Sequence, residues 1–542
     1  MNEAPLRGFL ITGQFWVLEA LFALVLAFTI VEARRLPVRR SVVLAGLGLA
    51  LFAWTLSSSV APRTSRIYYD EQIYQGVARN LSDLHRAQMC NGGDLEYGRL
   101  QCWVGEYNKE PNGYPYLVSL VYRAAGVSDA AAFRFNNVVG ALSVLVTVLL
   151  TNLLFDNIWI AVFSGLLLAV FPMQIQWSNT AASEPSAAFF CAASLLAAVH
   201  FSRVRTTSAL AWAAVVSAFA TTFRPECVLV APIAALAILV LAPDEYRKRR
   251  LWIAAAAGLL LSTITVLHML AIRHDPWGAS GPSIAWRFAR SNFPTNFWFY
   301  FADERFPAAC GIAAVVGVLG RHWLAQRLLL VVYFLMFWTV FVFFYAGSYN
   351  YGADVRYSLM TYVPMAILGA LGLKRIVDAI GRVTPQLSER AVAATVAAGV
   401  LAQFLWYLPL VRATGEEAWG ARADVKYAKV FAAKLPPNSL VVTHNPNMFH
   451  IWGVSAAQMS LVGGDPRNGE RYFSRYAGGV YLHWNFWCNV HDQIQNAFCR
   501  NAVDEYDHEV VDSRRERDYE YILYRLRPRA GQATPPSTTT PP

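Results

Sequence analysis

Apolar runs of about twenty residues, separated by short basic clusters, constrain this chain more than any other feature. They fall near residues 13–33, 41–60, 133–154, 157–177, 184–202, 207–223, 225–242, 251–272, 307–320, 328–346, 357–373 and 391–411. A helix of about 20 residues crosses a hydrocarbon core of roughly 30 Å, so the pattern predicts about twelve transmembrane helices. Composition agrees: 56% of the 542 residues are hydrophobic and 15% charged, against roughly 25% charged in soluble domains. The expected fold class is mainly α, a polytopic membrane helix bundle. The first run lacks a basic n-region and a small-residue cleavage site, and a second run follows at once. It reads as a retained helix rather than a signal peptide.

The formal net charge of +10 would suggest a nucleic-acid partner if the basic residues lined one face. Instead they gather between runs, at Arg34–Arg40, Arg203–Arg205, Arg247–Arg250, Arg321–Arg327 and Lys374–Arg375. Short cytoplasmic loops collect Lys and Arg in this way, so the charge orients helices and no nucleic acid is implied. With those clusters inside, the N-terminus and residues 61–132 lie outside. So do the turns "SNTAASE" (Ser178–Glu184) and "FRPE" (Phe223–Glu226), the loop 273–306, "GSYNYGADVRY" (Gly347–Tyr357) and everything after about residue 412.

The chain then divides into an N-terminal helix pair (1–60), a first external loop (61–132), the remaining bundle (133–413), an external α/β domain (414–528) and a tail (529–542). The first loop carries helical patterns, "DEQIYQGVARNLSDL" and "GYPYLVSLVYRAAG", around a Gly-rich loop bracketed by Cys90 and Cys102. Apolar faces too short to span suit interfacial helices. In the C-terminal domain "DVKYAKVFAAKL" (Asp424–Leu435) and "HDQIQNAFCRNA" (His491–Ala502) read as helices. "SLVVTH" (Ser439–His444) and "YEYILYRLR" (Tyr519–Arg527) read as strands. The Pro/Thr-rich tail reads as disordered. Cys191, Cys227 and Cys310 fall in spans; Cys90 with Cys102, and Cys488 with Cys499, form local pairs on the external side. An oxidising compartment would bond each pair, although free thiols remain the alternative. No Cys or His spacing suggests a zinc site, and none of these residues reads as a metal ligand.

Ionisable residues collect at the external ends of the spans. Asp70 and Glu71 follow two tyrosines in "RIYYDEQIYQGVARNL"; Lys109 and Glu110 lie in "YNKEPNGYPYL". Glu184 opens a span, Arg224 and Glu226 lie in "FRPE", and Asp354 and Arg356 in "ADVRY". Taken alone, the acidic pair is explained equally well by a solvated surface, and Glu184 by the dipole of the helix it starts. Acids and bases together suit one chemistry: a carboxylate takes the proton of an acceptor hydroxyl while Arg or Lys holds a departing phosphate.

The motifs, in their order and spacing over roughly residues 60–375, resemble the GT-C superfamily of integral-membrane glycosyltransferases. The likeness is closest to the glycosyltransferase 39 (protein O-mannosyltransferase-like) group, which shares features with the lipid A aminoarabinose transferase group. It is carried by "YYDEQIYQGVARNL", "KEPNGYPYLVSLVY", "ASEPSAAFF", "FRPE" and "VRYSLMTYVPMAILGAL". It implies a GT-C-type bundle and inverting transfer of a sugar from a polyprenyl-phosphate carrier to an acceptor on the extracytoplasmic face. The cell membrane implied is the bacterial inner membrane, on the Ala- and Arg-rich composition. Asp70 matches the family's catalytic Asp, with Glu71 beside it for the acceptor or a metal, and Glu184 matches the acid of the second external turn. Lys109, Arg224 and Arg356 would hold the donor phosphate. The family contains metal-dependent and metal-free members, so the resemblance leaves Mg²⁺ or Mn²⁺ open. Where O-mannosyltransferases read His-Pro-Pro, this chain has Lys109-Glu110-Pro111. That departure points to a glycan or lipid acceptor rather than protein.

No Gly-rich phosphate loop is present to cradle a nucleotide sugar, which agrees with a donor anchored in the membrane. The aromatic stretch Trp286–Phe301 reads as a lipid or sugar groove or as an interfacial belt. "YLHWNFWC" (Tyr481–Cys488) reads as a core segment or an acceptor contact. The rival class is a transporter or flippase for a lipid-linked or small anionic substrate, since charges in bundles mark substrate paths. Transporters tend to show paired halves and charge near the midplane, and neither pattern is seen here.

Overall fold

The structure, a computed structural model, describes residues 3–275, 281–320, 322–350, 352–463, 472–490 and 493–529. The chain forms two units: residues 1–66, 109–118 and 130–417 make the first, and residues 67–108, 119–129 and 418–542 the second.

The first unit is the helix bundle. Among the described residues, seven helices are long and apolar enough to cross a membrane: Glu3–Ala33, Arg40–Val60, Asp129–Phe155, Glu184–Val204, Arg249–Ala271, Leu324–Phe343 and Glu389–Arg412. The chain is therefore a multi-pass membrane protein. The other expected spans are also helical but shorter or interrupted. Ile158–Val170 stops at Phe171, and Pro172, which cannot donate to the preceding turn, opens a separate helix, Pro172–Trp177. Pro225–Leu229 and Gly352–Thr361 are 3₁₀ segments that lead into helices Val230–Leu241 and Tyr362–Val383. Ala308–Val318 has 11 residues, about 17 Å at 1.5 Å per residue. It packs on Tyr362–Val383 at very close range. A Cβ at Gly317 would lie 2.0 Å from the Leu368 carbonyl oxygen, and one at Gly372 only 1.9 Å from that of Ala313. Small residues let helix backbones approach where lipid supplies no hydrophobic drive between helices.

The second unit is an α/β body whose sheet has, among the described residues, seven strands in the order β2-β1-β4-β3-β5-β7-β6. These are β1 Met89–Glu96, β2 Arg99–Glu106, β3 Ser439–Thr443, β4 Ser455–Gln458, β5 Gly479–Trp484, β6 Asp507–Glu516 and β7 Tyr519–Arg527. β3 runs parallel to β4 and β5, and the remaining pairs are antiparallel. The Gly-rich stretch read as a loop is thus the β1–β2 hairpin, joined through Gly92 and Gly93 to β4. Glycine is needed there: a Cβ on Gly92 would meet Trp103 at 2.7 Å, and one on Gly93 would meet Cys90 Sγ at 2.8 Å. Cys90 is bonded to Cys102 across the hairpin, and Cys488 to Cys499.

Strand alternation divides the core of this unit. Leu440, Val442, Val480 and Leu482 face one side with Tyr472, Tyr506 and the Cys488–Cys499 bridge. Val441, Tyr481 and Leu523 face the other, under Tyr427 and Phe431 of helix Trp419–Ala432. "YLHWNFWC" is therefore largely core. Helix Asp70–Leu84 buries Tyr74, Val77 and Leu81. Gly76 lies so close to Asn447 that a Cβ would overlap its side chain at 1.9 Å. The expected disordered tail lies outside the described residues from 530 onward, as do His491 and Asp492 of the expected helix, which is seen as Gln493–Glu505.

Asp424 is fully buried in this unit. Burial pushes its carboxyl up to about 7, partly offset by hydrogen bonds from Tyr69 and the Phe486 amide. A carboxyl raised on folding adds stability below its unfolded value of 3.8. That stability is lost as the pH climbs to about 7, by an amount on the order of 4 kcal/mol. Melting of this unit followed by tryptophan fluorescence from pH 4.5 to 8 should show the fall, and Asp424→Asn should flatten it. The same slope in both chains contradicts the assignment.

Candidate active site

Two arginines of the bundle, each with a further carboxylate, gather at Glu184. It is the first residue of helix Glu184–Val204, with Pro185 next, a combination that suits a helix start because proline lacks only an N–H that would be unbonded there. The preceding turn is pinned from helix Asp129–Phe155. Asn136 donates to the carbonyls of Thr180 and Ala182 at 2.7 and 2.8 Å, and Asn137 to that of Ser178 at 2.6 Å. Glu184 is fully buried.

Two guanidiniums share one of its oxygens. Arg224 Nη1 and Arg356 Nε each donate to Glu184 Oε1 at 2.7 Å. Arg224 Nε also reaches Glu226 at 2.5 Å, and Arg356 Nη1 reaches Asp354 at 3.0 Å. Both arginines are under a tenth exposed. Tyr357 lies beneath them, 4.4 Å from the Arg356 guanidinium and 5.1 Å from that of Arg224, and its hydroxyl accepts from Arg356 Nη2 at 2.8 Å. Its ring in turn stacks on Phe341 at 4.7 Å. Three carboxylates face two guanidiniums, so most of the charge in the group is offset internally. Glu184 Oε2 is buried without a hydrogen-bond partner, in the middle of this charge.

Of the residues singled out in the sequence, Glu184, Arg224 and Arg356 therefore meet in one contact. Lys109 is half-buried, and its segment is anchored in the same bundle. The Lys109 carbonyl pairs with His268 Nε2 at 3.1 Å, and Asn112 donates to Gln14 at 2.9 Å. The Gly113 amide donates to the carbonyl of Thr222 at 2.8 Å, two residues before Arg224. Tyr357 and Ser183, whose hydroxyl lies 3.4 Å from Arg224 Nη1, were not singled out. The only signal for Tyr357 is its place directly after Arg356.

Asp70 and Glu71 belong to the second unit. Both lie in the first turn of helix Asp70–Leu84. Glu71 is buried, and its carboxylate accepts from the Ile67 amide at 3.0 Å, tying down the chain before the helix. Asp70 is half-buried. The aromatic stretch at 286–301 forms helix Trp286–Trp298 and the turn after it. Phe297, Tyr300 and Phe301 line an apolar groove of about 320 Å³ with Leu335 and Trp338. Among the described residues, no group of three or more His, Cys, Asp or Glu side chains is arranged to hold a metal ion.

Residues 109–268 match the family model described as dolichyl-phosphate-mannose-protein mannosyltransferase. The fold matches that of ArnT from Cupriavidus metallidurans bound to undecaprenyl phosphate, with a TM-score of 0.58 at 13% identity, covering 90% of this chain and 98% of that one. The apo state of the same enzyme gives 0.55 at 14% identity, covering 89% and 97%. The Archaeoglobus fulgidus oligosaccharyltransferase in complex with Zn and sulfate gives 0.49 at 14% identity, covering 85% and 71%. No curated protein matches the sequence.

The shared oxygen makes a stability prediction. Glu184→Ala strips both buried guanidiniums of a partner and should cost about 3–5 kcal/mol. Asp354→Ala leaves Arg356 on Glu184 and should cost less than about 2 kcal/mol. Melting of the purified variants in detergent checks the order, and equal losses contradict it.

Proposed function

We propose that this chain, a multi-pass membrane protein with the GT-C glycosyltransferase fold and a mannosyltransferase family match over residues 109–268, transfers a sugar from a polyprenyl-phosphate carrier. The acceptor is a glycan or lipid on the extracytoplasmic face, and the anomeric configuration inverts. The observation that carries the reading is the pair of buried guanidiniums held on Glu184. Buried arginines fixed by a carboxylate are preorganised donors, and such donors act most strongly on charge that grows during a reaction.

In the proposed step Asp70 takes the proton of the acceptor hydroxyl. The acceptor oxygen bonds to the anomeric carbon as the bond from that carbon to the phosphate oxygen breaks. The electron pair leaves with the polyprenyl phosphate, whose charge rises from one to two. Arg224 and Arg356, with Lys109, receive that added charge. Glu71 holds the backbone before Asp70 in place. The apolar groove beside Phe297 and Trp338 suits the carrier chain. Glycan or lipid acceptors are favoured over protein by Lys109-Glu110-Pro111, where the protein-modifying group has His-Pro-Pro.

The resting ion pairs add a feature to this mechanism. Glu226 and Asp354 occupy the guanidinium donors that a phosphate would use. Phosphate binding therefore exchanges an outer carboxylate for the carrier, while Glu184 stays. Glu226→Gln should tighten donor binding several-fold, whereas Arg224→Ala should weaken it about ten- to hundredfold; the acceptor requirement should change little in either.

Cells lacking the chain should lose one sugar from their envelope glycans or lipids, read by mass spectrometry. The Asp70→Asn chain, expressed and inserted, should fail to restore it. Full restoration by that variant removes Asp70 as the base.

A further inference from the structure

The acidic motif is anchored by a contact 355 residues away in sequence. Tyr69 directly precedes Asp70, and its ring is buried, edge-on to His444 at 5.2 Å and 6.3 Å from Trp487. Its hydroxyl donates to Asp424 Oδ2, and the Phe486 amide donates to Asp424 Oδ1 at 2.8 Å. Tyr69 stands at the N-cap of helix Asp70–Leu84 and gives no side-chain cap. Its carbonyl accepts the first helical hydrogen bond, from Ile73 at 3.0 Å.

Each of these observations goes against local preference. N-cap positions favour Ser, Thr, Asp or Asn, whose oxygens satisfy an otherwise orphaned amide. A tyrosine there turns its side chain away from the helix and into the core. A fully buried carboxylate costs more than an apolar side chain of similar volume, yet Asp424 lies in a core of aromatic and aliphatic residues. Together they replace a local cap with a long-range tether at the residue before Asp70.

We propose that Asp424 is a positioning residue for the transfer reaction, fixing through Tyr69 the first turn of helix Asp70–Leu84 and so the place of the Asp70 carboxylate. This gives the C-terminal segment a role in the chemistry, and it rests on the reading of Asp70 as the general base. Transfer depends steeply on such placement, since a displacement of about 1 Å can cost on the order of a hundredfold in rate.

The test uses the purified full-length chain with a membrane-lipid extract from cells lacking it, which supplies donor and acceptor together. The amount of extract is varied, so that the maximal rate and the half-saturating amount are read separately. Tyr69→Phe and Asp424→Asn should each lower the maximal rate about tenfold per folded molecule, with the half-saturating amount within twofold of wild type. The double variant should be no slower than either single one, because both break one tether. Hydrogen exchange at amides 67–75 should rise in each.

Unchanged maximal rates in folded single variants overturn the proposal, as do losses that multiply in the double variant or fall only on half-saturation. Should Tyr69→Phe fail to fold, Asp424→Asn decides on the same readouts. Asp70→Asn in the same assay separates the two levels. Turnover by that variant sinks the base itself, whereas an inactive Asp70→Asn beside a wild-type Tyr69→Phe sinks the positioning role alone.

Discussion

A carboxylate oxygen shared by two buried guanidiniums is the interaction around which the charged groups beside Glu184 are arranged. Glu184, Arg224 and Arg356 come from separate segments, and none would be tolerated in a membrane bundle alone, where an unpaired charge costs several kcal/mol. Together with Glu226, Asp354 and the Tyr357 ring they make a group that is nearly neutral and wholly polar inside an apolar scaffold. The scaffold maintains it by fixing each strut: Asn136 and Asn137 hold the turn before Glu184, and Phe223 stacks on Phe190 at 4.7 Å beside Arg224. Local cost is accepted because the pieces are held by elements that are stable for other reasons.

The second unit solves a different problem with the same logic. A helix carrying two acids needs a defined start, and its sequence has no capping residue there. In place of a cap, the residue before the helix is bonded to a distant one, Tyr69 to Asp424, and Gly76 packs on Asn447. In both units a charged group is positioned by partners far away in sequence, which is how a single chain obtains rigidity at points where local propensity offers none.

This explains what the sequence discloses and what it hides. The spans were legible because a bilayer demands long apolar runs, and Glu184, Arg224 and Arg356 were legible because charge at the end of such a run is costly and therefore conspicuous. Their mutual contact was not, since Arg356 lies 172 residues from Glu184 and no local rule pairs them. The β1–β2 hairpin was hidden for a related reason. Gly92 and Gly93 weaken any strand reading, and the partner that makes them a strand, β4, lies more than 350 residues on. Tyr69 and Asp424 were invisible as a pair for the same cause. Fold class follows from local pattern; sites made of remote contacts do not.

The central claim is that the two guanidiniums on Glu184 read the phosphate of a polyprenyl carrier. Native mass spectrometry of the purified chain with undecaprenyl phosphate tests it without any knowledge of the sugar. Wild type should retain one carrier per chain, and the folded Arg224→Ala, Arg356→Ala double variant should retain almost none. Equal retention by the two would contradict it.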